Sequence, residues 1–224
     1  VKKKAATTET EVKEKFFDIK DVFMQKRKTV FAYGILVLTV VLVIVAVLFY
    51  NYTSNKKSRE LEYEAYKVYY NMYQNAALPE EEQFRKALEL FQQAYDKKKS
   101  PRLLLYIASS YYELGEYDDA LKVLNDFVKR YADKEDMLPL AYSKIAMIQI
   151  KTGNQEEALK TFDTMYKSNA VIYKDLALIE SARILEKEGK KEEAEAKYRE
   201  LTEKFPGSPF FQEAKSRLGE KKES

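Results

Sequence analysis

Apolar positions follow two different rules along this chain. From Val30 to Tyr50 runs VFAYGILVLTVVLVIVAVLFY, twenty-one residues without a charge. At about 1.5 Å of rise per residue a helix of this length reaches roughly 32 Å, and a bilayer's hydrocarbon core is about 30 Å thick. No water in lipid satisfies a free N–H or C=O, so the run predicts a membrane-spanning helix over 30–50. Phe31 and Tyr33 sit near one end, and Phe49, Tyr50 and Tyr52 near the other, where amphipathic rings favour the headgroup layer. A buried core helix would be shorter and less uniform. A cleaved signal peptide would have a shorter apolar core, and FYNYTSN offers no small-x-small cleavage site.

Beyond Tyr50 the apolar residues recur at helical spacing and are broken by short turns. Three segments superpose: IASSYYELGEYDDAL, IAMIQIKTGNQEEAL and SARILEKEGKKEEAE. Ala108, Ala146 and Ala182 align, and seven residues later come Gly115, Gly153 and Gly189. Five after each Gly stand Ala120, Ala158 and Ala194, and four beyond those Leu124, Phe162 and Tyr198. The intervals between repeats are 38 and 36 residues. Each unit reads as helix, tight turn, helix, with the Gly in the left-handed conformation that ends the first helix. Each Ala sits where two helices cross closely, and the large residue one turn later fills the space between neighbouring units. One hairpin cannot bury its apolar face alone, so the hairpins are expected to stack.

A fourth, more degenerate unit precedes these, with Ala87 and Phe91 at the same offset. Its first helix is expected over Ser58–Ala77, ending in a turn at Leu78-Pro79 and continuing from the span. That helix carries Tyr63, Tyr66, Tyr69, Tyr70 and Tyr73, a stripe that reads as packing against the next helix in preference to a ligand box. A last helix over Ser208–Leu218 would cap the open end.

Ahead of the span, Val12, Phe16, Ile19 and Phe23 fall on one helical face. This short amphipathic helix either lies on the membrane or a partner, or is a plain lead-in. The expected organisation is a basic tail over 1–29, the span over 30–50, a linker helix and degenerate repeat over 51–99, three repeats over 100–206, and a capping helix and tail over 207–224. The tail holds nine Lys/Arg and five Asp/Glu, hence +4, whereas residues 51–224 hold thirty and thirty-one, hence −1. Within about twenty residues of the span, six basic residues precede it and four follow it, so the positive-inside rule puts the N-terminus in the cytoplasm. The nearly neutral, mixed-sign remainder has no nucleic-acid footprint.

Composition narrows the chemistry further. The chain has no Cys and no His, which removes thiolate chemistry, most zinc sites and the commonest general base. Asp118-Asp119 and Glu156-Glu157 open helices just after turns, where carboxylates favour the positive end of the helix dipole. No catalytic residue, cofactor site or metal site is expected, and the chain is not read as an enzyme.

The aligned small, glycine, alanine and aromatic positions resemble the tetratricopeptide repeat family over about 100–206. The early tryptophan of that family is replaced by Leu104, Tyr142 and Leu178, and Phe205-Pro206-Gly207-Ser208-Pro209 looks like its terminating proline segment. The resemblance implies an all-α fold, a single N-terminal transmembrane helix followed by a solenoid of three to four helical hairpins plus a capping helix. It also implies a protein-binding groove lined by the first helix of each hairpin. Its positions here are Arg102, Leu105, Ser109 and Tyr112, then Ser143, Met147 and Ile150, then Ile179, Arg183 and Glu186. Met147 and Ile150 suit apolar anchors of an extended or helical peptide; the alternative is that these residues pack on one another or on a capping helix. Ser109 and Met147 stand where some family members clamp a C-terminal carboxylate, so no such clamp is expected.

The layout as a whole is similar to the ancillary Sec-translocon subunit (YfgM-like) family. That resemblance implies a bacterial inner-membrane, single-pass adaptor with its repeats in the periplasm. Its partners would be the translocon and the bilayer at the span, and chaperones or client proteins at the groove. The alternative is a structural subunit of another envelope complex with one fixed partner.

Overall fold

The computed structural model describes residues 27–72, 78–170 and 172–219. The amphipathic stretch of the tail and Tyr73 lie outside them. Two compact units divide the chain, Val1–Ser54 and Asn55–Ser224. In the first, helix α1 (Arg27–Tyr69) begins. Its apolar side chains from Phe31 to Tyr50 are about half exposed or more, and the helix is long and apolar enough to cross a membrane. Thr39 Oγ1 donates to the Ile35 carbonyl at 2.8 Å, which keeps that hydroxyl satisfied within the helix.

The second unit holds the end of α1 followed by α2 (Glu80–Lys97), α3 (Pro101–Glu113), α4 (Tyr117–Arg130), α5 (Leu138–Lys151), α6 (Gln155–Lys167), α7 (Lys174–Lys187), α8 (Lys191–Lys204) and α9 (Phe211–Gly219). No strand occurs among the described residues. From α2 onward each helix packs against the next in sequence, and α3 also touches α5. The hairpins are therefore α3–α4, α5–α6 and α7–α8. The repeated small residues explain the close crossings: Ala87, Ala120, Ala146, Ala158 and Ala182 have no exposed surface. One turn after the second Ala of each unit, Phe91, Leu124, Phe162 and Tyr198 are buried, filling the layers between helices.

The hairpin turns share one geometry. Gly115, Gly153 and Gly189 adopt φ of 73°, 83° and 77°. The residue after each Gly donates back five positions: Glu116 to the Tyr111 carbonyl, Asn154 to Gln149 and Lys190 to Leu185, at 2.7–2.9 Å. This pairing closes the last turn of a helix on a left-handed residue. The same motif ends α1, with Asn71 at φ 50° and the Met72 N–H donating to the Lys67 carbonyl at 2.8 Å. The helix expected over Ser58–Ala77 therefore stops at Tyr69, because Asn71 takes the role that Gly takes elsewhere.

The Tyr stripe divides. Tyr66 and Tyr69 pack against Phe91 and Tyr106, with ring centroids 4.8–6.1 Å apart, whereas Tyr63 and Tyr70 are exposed.

Candidate functional site: the groove between the first helices

The predicted groove positions sit on α3, α5 and α7, and the structure treats the three helices differently. On α3, Arg102 reaches across to α1, where its Nε and Nη2 both donate to Glu62 Oε1 at 2.9 and 2.8 Å. The Glu62 side chain is only 9% exposed and also accepts the Tyr66 hydroxyl at 2.7 Å. Three donors on one nearly buried carboxylate meet its need for compensation. Burial and that bond to Glu62 push the Tyr66 hydroxyl well above the ordinary phenol range. Leu105 and Ser109 are buried, and Ser109 Oγ donates to the Leu105 carbonyl at 2.7 Å. Although mostly buried, both, with Arg102, line the larger of the two cavities between α3 and α5. Tyr112 is half-buried beside the Tyr117 ring at 5.6 Å.

On α5, Ser143 and Ile150 are half-buried, and Met147 is 49% exposed. On α7, Ile179 is 0% exposed. It belongs to the core that α7 builds with Tyr198 and Leu201 of α8 and Ala214 of α9, and so it lines no groove. Arg183 donates through Nε and Nη2 to the two Glu213 oxygens of α9 at 2.9 and 2.6 Å. Its Nη1 reaches Glu180 at 2.6 Å. That bond from Arg183 holds the Glu213 carboxyl below its ordinary range. Glu186 accepts the Tyr198 hydroxyl at 2.9 Å and Arg217 Nη1 at 3.5 Å. Burial, then the bond to Glu186, push the Tyr198 hydroxyl up to about 12.

Two cavities open between α3 and α5. One, of about 350 Å³, is lined by the predicted Arg102, Leu105 and Ser109 together with Tyr69, Tyr106, Met137 and Leu140. The Tyr70 and Tyr106 hydroxyls stand 3.3 Å apart. The other, of about 90 Å³, is lined by Tyr112, Glu113, Leu124 and Met147 among others. Lys144 borders both. Sequence reasoning missed Lys144, Tyr69, Tyr106 and Met137 as lining residues. Lys144 stands at the register of Tyr106 and Glu180 in the neighbouring units, and that variation was the available signal. A third cavity, of about 680 Å³, is larger but lies apart from these first-helix positions, among Tyr173, Leu176, Phe205, Pro206 and Phe210. It brings together none of the predicted site residues.

Among the described residues no cluster of three or more Asp and Glu side chains could hold a metal ion. What the arrangement offers is a strip of apolar and aromatic surface with one desolvated cation. Stacked helical hairpins with such a strip define a repeat scaffold of the protein-interaction class. The chain belongs to the tetratricopeptide repeat-like domain family, whose model matches residues 30–212. Among solved structures, the crystal structure of MamA is similar at 16% identity and a TM-score of 0.46, over 54% of this chain and 68% of that one. The TPR2AB domain of yeast Sti1, solved as a pHSP90 complex, is similar at 19% identity and a TM-score of 0.44, over 72% and 68%. A thermophilic TPR protein of Thermus thermophilus is similar at 14% identity and a TM-score of 0.34, over 73% and 97%. No curated protein sequence matches the chain.

Proposed function

We propose that this protein is a non-enzymatic adaptor anchored in the bacterial inner membrane, accessory to the Sec translocon. The stretch 30–50 crosses the bilayer with the N-terminus in the cytoplasm, and the repeats stand in the periplasm. There the groove between α3 and α5 binds chaperones or the segments of clients. The observation that carries the binding role is the exposed Met147 lining the smaller of two cavities that share Lys144, in a family of interaction repeats. The anchor is supported by the charge-free apolar helix and its aromatic ends. The orientation rests on the six-to-four basic bias, and the translocon link rests on layout alone.

The test is photocrosslinking in intact membranes from probes at Met147 and Leu38, read by mass spectrometry. Translocon subunits at Leu38, with several secreted proteins or chaperones at Met147, are expected. One stoichiometric partner at both probes would instead make the protein a fixed structural subunit of another envelope complex.

A further inference from the structure

Resting on the reading that the groove binds protein, we infer that its ligand is an internal, extended peptide segment whose acidic side chain pairs with Lys144, flanked by an apolar anchor on each side. The first observation is the state of Lys144. It is half-buried, yet no hydrogen bond or ion pair reaches it among the described residues, whereas Arg102 and Arg183 at the groove's ends are both paired within the chain. Burial holds the Lys144 ammonium below the usual lysine range, with the Glu113 charge pulling the other way. Glu113 lines the smaller cavity with Lys144 but makes no hydrogen bond or ion pair to it. An ammonium withdrawn from water with no carboxylate in bonding contact is unfavourable, and a ligand carboxylate supplies that contact through a charge-assisted bond.

The second observation is where that ammonium stands. Lys144 is the residue common to both cavities, so a strand of peptide running from one to the other passes its side chain at the join. The larger cavity, walled by Tyr69, Tyr106, Met137 and Leu140, takes a bulky aromatic or branched side chain. The smaller, beside Tyr112 and Met147, takes a small apolar one. Because anchors lie on both sides of the cation, the ligand chain continues past the carboxylate in both directions. The carboxylate therefore belongs to an Asp or Glu side chain and not to a chain terminus. Arg102 adds no second free charge, since Glu62 already neutralises it.

The test uses the full chain in detergent micelles and fluorescein-labelled extended peptides. Each peptide carries Phe or Leu, then Glu, then Ala or Val, separated by Ser and flanked by Gly-Ser. Each is paired with a Gln counterpart and with a C-terminally amidated copy. The Glu peptides should bind about tenfold more tightly than the Gln peptides, the scale of one charge-assisted contact. That preference should vanish in Lys144→Met and Lys144→Gln and return in Lys144→Arg, with helical content unchanged by circular dichroism. Amidation should change nothing. Equal binding of Glu and Gln peptides, a preference that survives in both neutral variants, or dependence on a free C-terminus would overturn the inference. So would failure of every peptide to bind. Client crosslinks from Met147 would then still stand or fall on their own, which separates this inference from the broader adaptor reading.

Discussion

The middle hairpin α5–α6 and the last hairpin α7–α8 present the same register and different surfaces. One residue after the aligned Ala stands Met147 in the first and Arg183 in the second. Met147 is exposed, whereas Arg183 is tied to Glu213 of α9. Four residues after that Ala, half-buried Ile150 answers to Glu186, which binds Tyr198 and Arg217. At α3 the same closure comes from the other side, with Arg102 held by Glu62 of α1. Repetition thus fixes the core of every unit, while the neighbours at each end use up the groove chemistry of the terminal units. The middle unit presents an exposed thioether at Met147 and a half-buried cation, Lys144, with no hydrogen bond or ion pair among the described residues, and the proposed binding is placed there for that reason.

The sharpest way to break this comparison is through the part the two hairpins share. Phe162 and Tyr198 fill equivalent interlayer positions and are both buried. Phe162→Ala and Tyr198→Ala should each lose about 3–5 kcal/mol, the scale of an aromatic cavity in a core. Thermal or urea melts of the full chain in detergent, followed by helical circular dichroism, read the loss. A loss below about 1 kcal/mol at either site would mean that the equivalent positions do not carry equivalent packing.

The turns come next in size. A Cβ at Gly153 or Gly189 would meet no atom within 4 Å, so Gly→Ala at either site changes only the left-handed backbone strain. Both should cost about 1–2 kcal/mol. Asn71 shares the geometry, but Asn tolerates it, so Asn71→Gly should be neutral or slightly stabilising. These turns also mark what was legible in the sequence. Gly, Ala and the large residue after them recur because each performs a local task, and local tasks leave a periodic trace. Asn71 performs the same task with a different residue, which is why the end of α1 was expected eight residues too late. The groove was harder to read, because closure of its ends depends on Glu62 and Glu213, forty and thirty residues from the Arg each one holds. The burial of Ile179 likewise depends on the core shared with α9, and no spacing within α7 announces it.

Lys144 allows a finer test of the open middle unit. Its folded-state affinity for the proton is depressed by burial. The charged form therefore destabilises the fold fully at pH values below its folded pKa. The penalty fades as pH rises through that value towards the unfolded lysine value of about 10.4. Lys144→Met should accordingly be more stable than the parent chain at pH 7, by about 1 kcal/mol on the scale of an unpaired buried polar group. The gap should close as pH approaches the unfolded value. A less stable Lys144→Met would mean that the cation supports the fold, and the case for a missing ligand carboxylate would lose its footing.

The smallest effect is expected at the closed end. Glu213 is held below its ordinary range by Arg183, so its contribution is present above the unfolded carboxyl value of about 4.3 and is lost as pH falls through the folded value. Solvent reaches both partners, so Glu213→Gln should cost only about 0.2–1 kcal/mol at pH 7. As pH falls through the folded value parent and variant should converge, since the parent carboxyl is then itself being protonated. The readout that matters more is at the surface. With Glu213 neutral, Arg183 keeps only Glu180, and the last hairpin gains a partly freed cation at the register of Met147. If the end units lack ligands because their own chain occupies them, a photoprobe at exposed Lys187 should capture nothing in the parent and new partners in Glu213→Gln. An unchanged crosslinking pattern would show that the closure by α9 is structural only, and that the difference between the two hairpins lies in what the middle one offers.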